Sequence, residues 1–175
     1  MKGSNLYLLG FMGAGKTEVG RRLAELLGWP FIDLDLVIEK QEGASVAEIF
    51  RRRGEAYFRS LERVALQRVS EAQNTVAAVG GGVFCNAENQ ETIARTGTSI
   101  WLDAPIEILF ARCSADPAMR PLFAGIEEMG RLLESRRPSY AKAQLHIQVG
   151  DLSVDDLARR ILNEIRGHQF HDRIR

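Results

Sequence analysis

Eight residues near the start of the chain, Gly10-Phe-Met-Gly-Ala-Gly15-Lys16-Thr17, do most to limit what it can fold into. They follow a short apolar run, Asn5–Leu9, and precede a segment with apolar residues at Val19, Leu23, Leu26 and Leu27. A strand that enters a glycine-rich loop and opens a helix lets backbone N–H groups turn inward around phosphate oxygens, and the helix N-terminus adds a favourable dipole. In such a P-loop the lysine, here Lys16, reaches the β- and γ-phosphates, and the hydroxyl of Thr17 is placed to ligate Mg²⁺. Gly13, Ala14, Gly15, Lys16, Thr17 and Glu18 are therefore candidate nucleotide-binding residues. A phosphate cradle alone does not decide what becomes of the γ-phosphate.

The remainder of the chain alternates short apolar strands with longer helical patterns, which predicts an α/β fold: a parallel sheet with helices on both faces. Strands are expected near Asn5–Leu9, Phe31–Ile32, Thr75–Val79, Ser99–Leu102 and Leu145–Val149. Gly28 and Pro30 stop the helix that follows Lys16. Ser45 with Glu48 reads as a capping box, Pro105 suits a first helical turn, and Ser153 with Asp156 opens a last amphipathic helix carrying Val154, Leu157, Ile161, Leu162 and Ile165. At 175 residues the chain has the length of one domain. The stretch from Ser114 to Gly125 holds two prolines and no sustained periodicity, so a mobile, functional loop is expected there.

Asp33-Leu-Asp35 and Gly80-Gly-Gly82 both stand just beyond predicted strands, at the edge where parallel sheets bind ligands. Read as an extended segment, Asp33 and Asp35 point to one side and Leu34 to the core. Beside a nucleotide, one carboxylate can hold a metal-bound water and the other can accept a hydrogen bond from an attacking hydroxyl. The glycine run allows close approach by a small molecule, or is a plain tight turn. Arg59 shares a helix face with Glu55 and Glu62, either as a solvated salt-bridge set or as a guanidinium held rigid to grip a ligand carboxylate.

Composition mainly excludes. With 23 basic and 23 acidic side chains the formal net charge is zero, which argues against a nucleic-acid or anionic-membrane partner held by bulk electrostatics. Cys85 and Cys113 have no metal-binding or disulfide companions, and the first apolar run is too short for a signal peptide or membrane span, so a cytoplasmic protein is expected. Arg51-Arg-Arg53 reads as a solvated helix end, His168 and His171 as a frayed polar tail, and His146, Trp29 and Trp101 as structural residues.

Taken in order, Gly10–Thr17, Asp33-Leu-Asp35, Gly54-Glu-Ala-Tyr-Phe-Arg59-Ser-Leu-Glu62, Gly80-Gly-Gly82, Arg120-Pro-Leu122 and Arg136-Arg-Pro-Ser-Tyr140 resemble the motifs of shikimate kinases over essentially the whole chain. The resemblance implies a three-layer P-loop kinase fold: a five-stranded parallel sheet flanked by helices, in a single domain over residues 1–175, with substrate-binding helices at about 33–62 and a mobile lid at about 114–125. It implies transfer of the γ-phosphate of ATP to the 3-hydroxyl of shikimate, with Mg²⁺, in aromatic amino-acid biosynthesis. Asp33 matches the aspartate that acts on magnesium through water, and Asp35 the one that binds and orients the acceptor hydroxyl. Arg59, Arg136, Gly81 and Gly82 match the shikimate pocket, with Glu62 steadying Arg59. Lys16 and Arg120 match the residues that neutralise the transferring group, Arg120 from the lid, and Arg112 matches the arginine packed against adenine. A monomer is also implied. The rival readings are another small P-loop kinase, acting on gluconate or a nucleoside monophosphate, and a kinase-like module that binds a ligand without turnover.

Overall fold

The computed structural model describes residues 5–115 and 125–171. Five strands, β1 (Asn5–Leu9), β2 (Phe31–Asp33), β3 (Val76–Ala78), β4 (Gly97–Asp103) and β5 (Leu145–Gln148), form one sheet in the order β2-β3-β1-β4-β5. Every neighbouring pair is parallel. The sequence order of β1 and β3 leaves β1 in the middle, and all five of its residues are buried, as expected of a strand covered on both faces. β5 lies at an edge and alternates instead, with Leu145 and Ile147 buried and His146 and Gln148 exposed.

The helices are α1 (Lys16–Leu27), α2 (Leu34–Glu42), α3 (Val46–Glu71), α4 (Ala87–Thr96), α5 (Ile106–Ala115), α6 (Ile126–Tyr140) and α7 (Val154–His171), with a short 3-10 turn at Val83–Cys85. They flank the sheet: α1 packs on α7, α2 on α3, α3 on α4, and α5 on α6. Their ends follow the side-chain chemistry. Gly28 closes α1 in the left-handed conformation, with φ 66°. Ser45 accepts from the Glu48 N–H at 3.3 Å, and Ser153 accepts from the Asp156 N–H at 3.1 Å, each satisfying a free donor at a helix start. Arg51, Arg52 and Arg53 are exposed and end the first part of α3, where Gly54 breaks the helix with φ 80° and ψ 172°. Beyond it the chain turns helical again and carries Glu55, Arg59 and Glu62.

Two local expectations need correction. Asp33-Leu-Asp35 is not extended: Asp33 ends β2 and caps α2, and Asp35 lies in the first turn of that helix. Leu34 is nevertheless fully buried. Of the lid expected over about 114–125 only the ends are described, Ser114 and Ala115 in α5 and Gly125 as the cap of α6. Arg120 and the rest of the expected lid lie outside the described residues. α7 extends through His171, so the backbone there is helical rather than frayed. Among the described residues no helix is long and apolar enough to cross a membrane.

Candidate active site

The loop between β1 and α1 wraps the start of α1 because Gly15, with φ 87°, takes a conformation other residues rarely adopt. Lys16 folds back over this loop, and its Nζ donates to the carbonyls of Gly10 and Phe11, each at 3.0 Å. Burial lowers its proton affinity, and Asp35 and then Asp33 oppose that shift. Thr17 Oγ1 donates to Asp33 Oδ2 at 2.7 Å, while Asp33 Oδ1 accepts from the N–H groups of Asp35 and Leu36 at 3.1 and 3.4 Å. Asp33 is therefore both a helix cap and the partner of the loop hydroxyl.

Asp35 occupies the centre. Its Oδ1 is buried and has no hydrogen-bond partner among the described residues, and burial raises its pKa despite the opposing pull of Lys16. A buried polar atom without a partner costs free energy unless a ligand supplies one. The glycine run brings the remaining groups close. A carbon placed on Gly80 would stand 2.6 Å from Glu62 Oε1 and 2.9 Å from Asp35 Oδ1. One on Gly81 would stand 3.0 Å from Arg136 Nη1 and 3.6 Å from the Gly10 carbonyl, which joins the run to the phosphate loop. One on Gly82 would collide with the Arg59 guanidinium.

Arg59 is fixed from two sides. Its Nε and Nη2 donate to Glu55 Oε1 at 3.1 and 2.9 Å, and its Nη1 donates to Glu62 Oε2 at 2.6 Å. Glu55 is 67% exposed but Glu62 only 2%, so Glu62 provides the rigid anchor. Burial raises the pKa of the Glu62 carboxyl, and Arg59 offsets only part of that shift. Arg136, on α6, has no carboxylate partner among the described residues and lies over the Phe11 ring, 5.5 Å from its centroid. Among the described site cations, Arg59 alone is ion-paired with carboxylates, while Asp35 and Asp33 stand near Lys16 without bonding to it.

Gly13, Ala14, Gly15, Lys16, Thr17, Glu18, Asp33, Asp35 and Arg112 all line one cleft of about 590 Å³. Arg59, Gly81, Gly82 and Arg136 cluster beside its Asp35 end. Arg112 donates to the Gly13 carbonyl at 3.1 Å. The sequence reading missed four further residues that line this cleft, Val149, Leu152, Val154 and Leu157. Val154, assigned there to the apolar face of the last helix, is 43% exposed, and Leu152 is 42% exposed. Leu152 lies in the turn between β5 and α7 and Val154 opens α7, and nothing local in the sequence marks either as exposed. With Arg112 they line the same cleft, an apolar lining suited to a heteroaromatic base.

A parallel sheet with a phosphate loop after its central strand, and a buried unpaired carboxylate beside that loop, defines a P-loop phosphotransferase for a small acceptor. Comparison with known proteins narrows the class. The profile described as shikimate kinase matches residues 12–166. A shikimate kinase of Persephonella marina is 42% identical over 93% of this chain and 99% of its own length. One of Synechococcus sp. (strain RCC307) is 44% identical over 95% of this chain and 87% of its own. The shikimate kinase of Acinetobacter baumannii, solved in complex with shikimate, superposes with a TM-score of 0.89 at 38% identity, covering 94% of each chain. A gluconokinase from Sinorhizobium meliloti superposes at 0.58 with 15% identity, a likeness of fold alone. The chain belongs to the shikimate kinase family and is an ATP-dependent phosphotransferase.

Proposed function

We propose that the chain transfers the γ-phosphate of ATP to the 3-hydroxyl of shikimate, giving shikimate 3-phosphate and ADP within aromatic amino-acid biosynthesis. One observation carries the reading to this acceptor. Beside successive residues of a side-chain-free glycine run, Gly80 and Gly81, stand a buried carboxylate oxygen, Asp35 Oδ1, and a guanidinium, Arg136, that among the described residues have no hydrogen-bond partner and no carboxylate respectively. A ligand with hydroxyls at one end and a carboxylate at the other satisfies both.

In the reaction Asp35 accepts the proton of the 3-hydroxyl as that oxygen bonds to the γ-phosphorus. The bond from phosphorus to the β–γ bridging oxygen breaks, and its electron pair leaves with ADP. Lys16 exchanges the carbonyls of Gly10 and Phe11 for phosphate oxygens. Arg59 and Arg136 grip the shikimate carboxylate, and Gly81 and Gly82 let the ring approach the backbone. Arg112, Leu152 and Val154 flank the adenine. Arg120, outside the described residues, completes the charge neutralisation on the phosphates, in a lid over about 114–125.

Mg²⁺ fits this arrangement. Thr17 Oγ1 and Asp33 Oδ2 are two hard oxygens 2.7 Å apart, and among the described residues no group of three His, Cys, Asp or Glu could hold an ion unaided. That suits an ion that draws most of its ligands from phosphates and water. Thr17 would hold it directly and Asp33 through water, and the ion supplies neutralisation of phosphate charge. We further infer a monomer of one domain, in the cytosol, without nucleic-acid or membrane partners.

The test is coupled ADP release by the pure protein with MgATP, comparing shikimate with gluconate and nucleoside monophosphates. Turnover that depends on shikimate is expected. Turnover with gluconate or a nucleotide in its place would transfer the reading to a rival kinase, and none with any acceptor would favour a binding module.

A further inference from the structure

Tyr140 belongs to a motif singled out in the sequence, yet no step above uses it. It is the last residue of α6, one turn beyond Arg136 and so on the same helix face. The side chain is fully buried, and its hydroxyl donates to the Gly81 carbonyl at 2.5 Å. A carbon on Gly81 would stand 3.0 Å from Arg136 Nη1 and 3.5 Å from Tyr140 Oη, so guanidinium and phenol converge on one residue of the glycine run. Burial pushes the phenol up to about 12, with nearby Arg136 pulling the other way, so it remains a neutral donor at any assay pH.

The ring is held as firmly as the hydroxyl. It packs on Trp101 of β4, with centroids 5.8 Å apart. Trp101 in turn stacks on His146 at 4.1 Å and 8°. On the N-terminal side of Tyr140, Arg137 Nη1 donates to Asp103 Oδ2 at 3.4 Å, and the same carboxylate oxygen accepts from Gln148 Nε2 at 3.1 Å. The last turn of α6 is therefore tied to the sheet through β4 and to the glycine run through one phenol. Phenylalanine would fill the same volume, so packing does not account for the hydroxyl.

We propose that Tyr140 is a positioning residue for the acceptor site: its bond to the Gly81 carbonyl sets the glycine run in register with Arg136, so that both meet the acceptor carboxylate together. This rests on the reading of shikimate as acceptor. Tyr140→Phe removes the bond and leaves the Gly81 carbonyl without its donor, a change expected to raise the shikimate KM about tenfold. The KM for ATP should stay close to wild type, the thermal midpoint should fall by no more than about a few degrees, and kcat should fall by less than the KM rises. On an Arg136→Ala background the same substitution should cost less than in wild type, because the partner with which the glycine run is kept in register is gone. An unchanged shikimate KM in Tyr140→Phe overturns the proposal. So does a variant that fails to fold or loses ATP and shikimate affinity alike, since the tyrosine would then be structural. Wild-type protein without shikimate-dependent turnover would instead refute the acceptor reading on which the proposal stands.

Discussion

Gly82→Ala isolates the geometry of the acceptor pocket with a single methyl group. The backbone at Gly82, φ −97° and ψ −14°, is one alanine adopts freely, so the substitution introduces no conformational strain. The new carbon would stand 2.5 Å from Arg59 Cζ and 2.6 Å from Nη2, where ordinary contact starts at 3.4 Å. The guanidinium must retreat by about 1 Å, a displacement large enough to matter in a positioned site. A free arginine would move at little cost, but this one is pinned by Glu55 and by the buried Glu62, the latter bond being 2.6 Å. Weakening a hydrogen bond to a buried charged group costs about 1.5–3 kcal/mol. With each factor of ten worth about 1.4 kcal/mol, the shikimate KM should rise about 10- to 100-fold. Initial rates against shikimate at saturating ATP read this directly, and the KM for ATP should stay within about twofold of wild type. An unchanged shikimate KM, or a parallel rise for ATP, would refute the clamp. Combining Gly82→Ala with Arg59→Ala should cost no more than Arg59→Ala alone.

Four further outcomes rest on the same structure. Arg59→Lys should raise the shikimate KM while sparing ATP, because an ammonium cannot span Glu55, Glu62 and a ligand carboxylate as a planar fork does; equal KM values in steady-state assays would contradict this. Asp35 must be ionised to accept a proton, and burial raises its pKa from the ordinary 3.8, so kcat/KM for shikimate should fall on acidification with its limb above that value. A pH profile flat down to 3.8 would remove Asp35 from the proton step, and Asp35→Asn should keep nucleotide binding but lose roughly 100- to 10,000-fold in kcat. Gly54→Ala places a side chain at φ 80° and ψ 172°, a region essentially reserved for glycine, and should destabilise the fold by about 1–3 kcal/mol in urea unfolding. No change in midpoint would mean that the break in α3 relaxes without cost.

The strands were legible because a parallel sheet covered by helices writes itself as short apolar runs, and the helix starts because Ser45 and Ser153 carry their caps in the sequence. The phosphate loop was legible because its function depends on backbone geometry that only a narrow set of residues permits. Asp33 and Asp35 were placed together for a reason the structure replaces: a helix begins at Leu34, and the Asp33 side chain caps it. A segment of three residues holds too little periodicity to distinguish a strand end from a first helical turn. The break at Gly54 was hidden because the residues on both sides favour helix. Contacts between distant segments, such as Gly82 against Arg59 or Leu152 in one cleft with the phosphate loop, arise from the sheet order and have no local sequence signal.

The central claim is that a charge-neutral chain presents, beside its phosphate loop, a site that orients one hydroxyl of a carboxylated acceptor. The most direct measurement is phosphorus NMR of the product formed from MgATP and shikimate by the pure protein. A single new phosphomonoester, with its phosphorus coupled to the proton at carbon 3, is the result this account predicts. A phosphorus resonance coupled to another ring position, or inorganic phosphate as the only new species besides ADP, would contradict it.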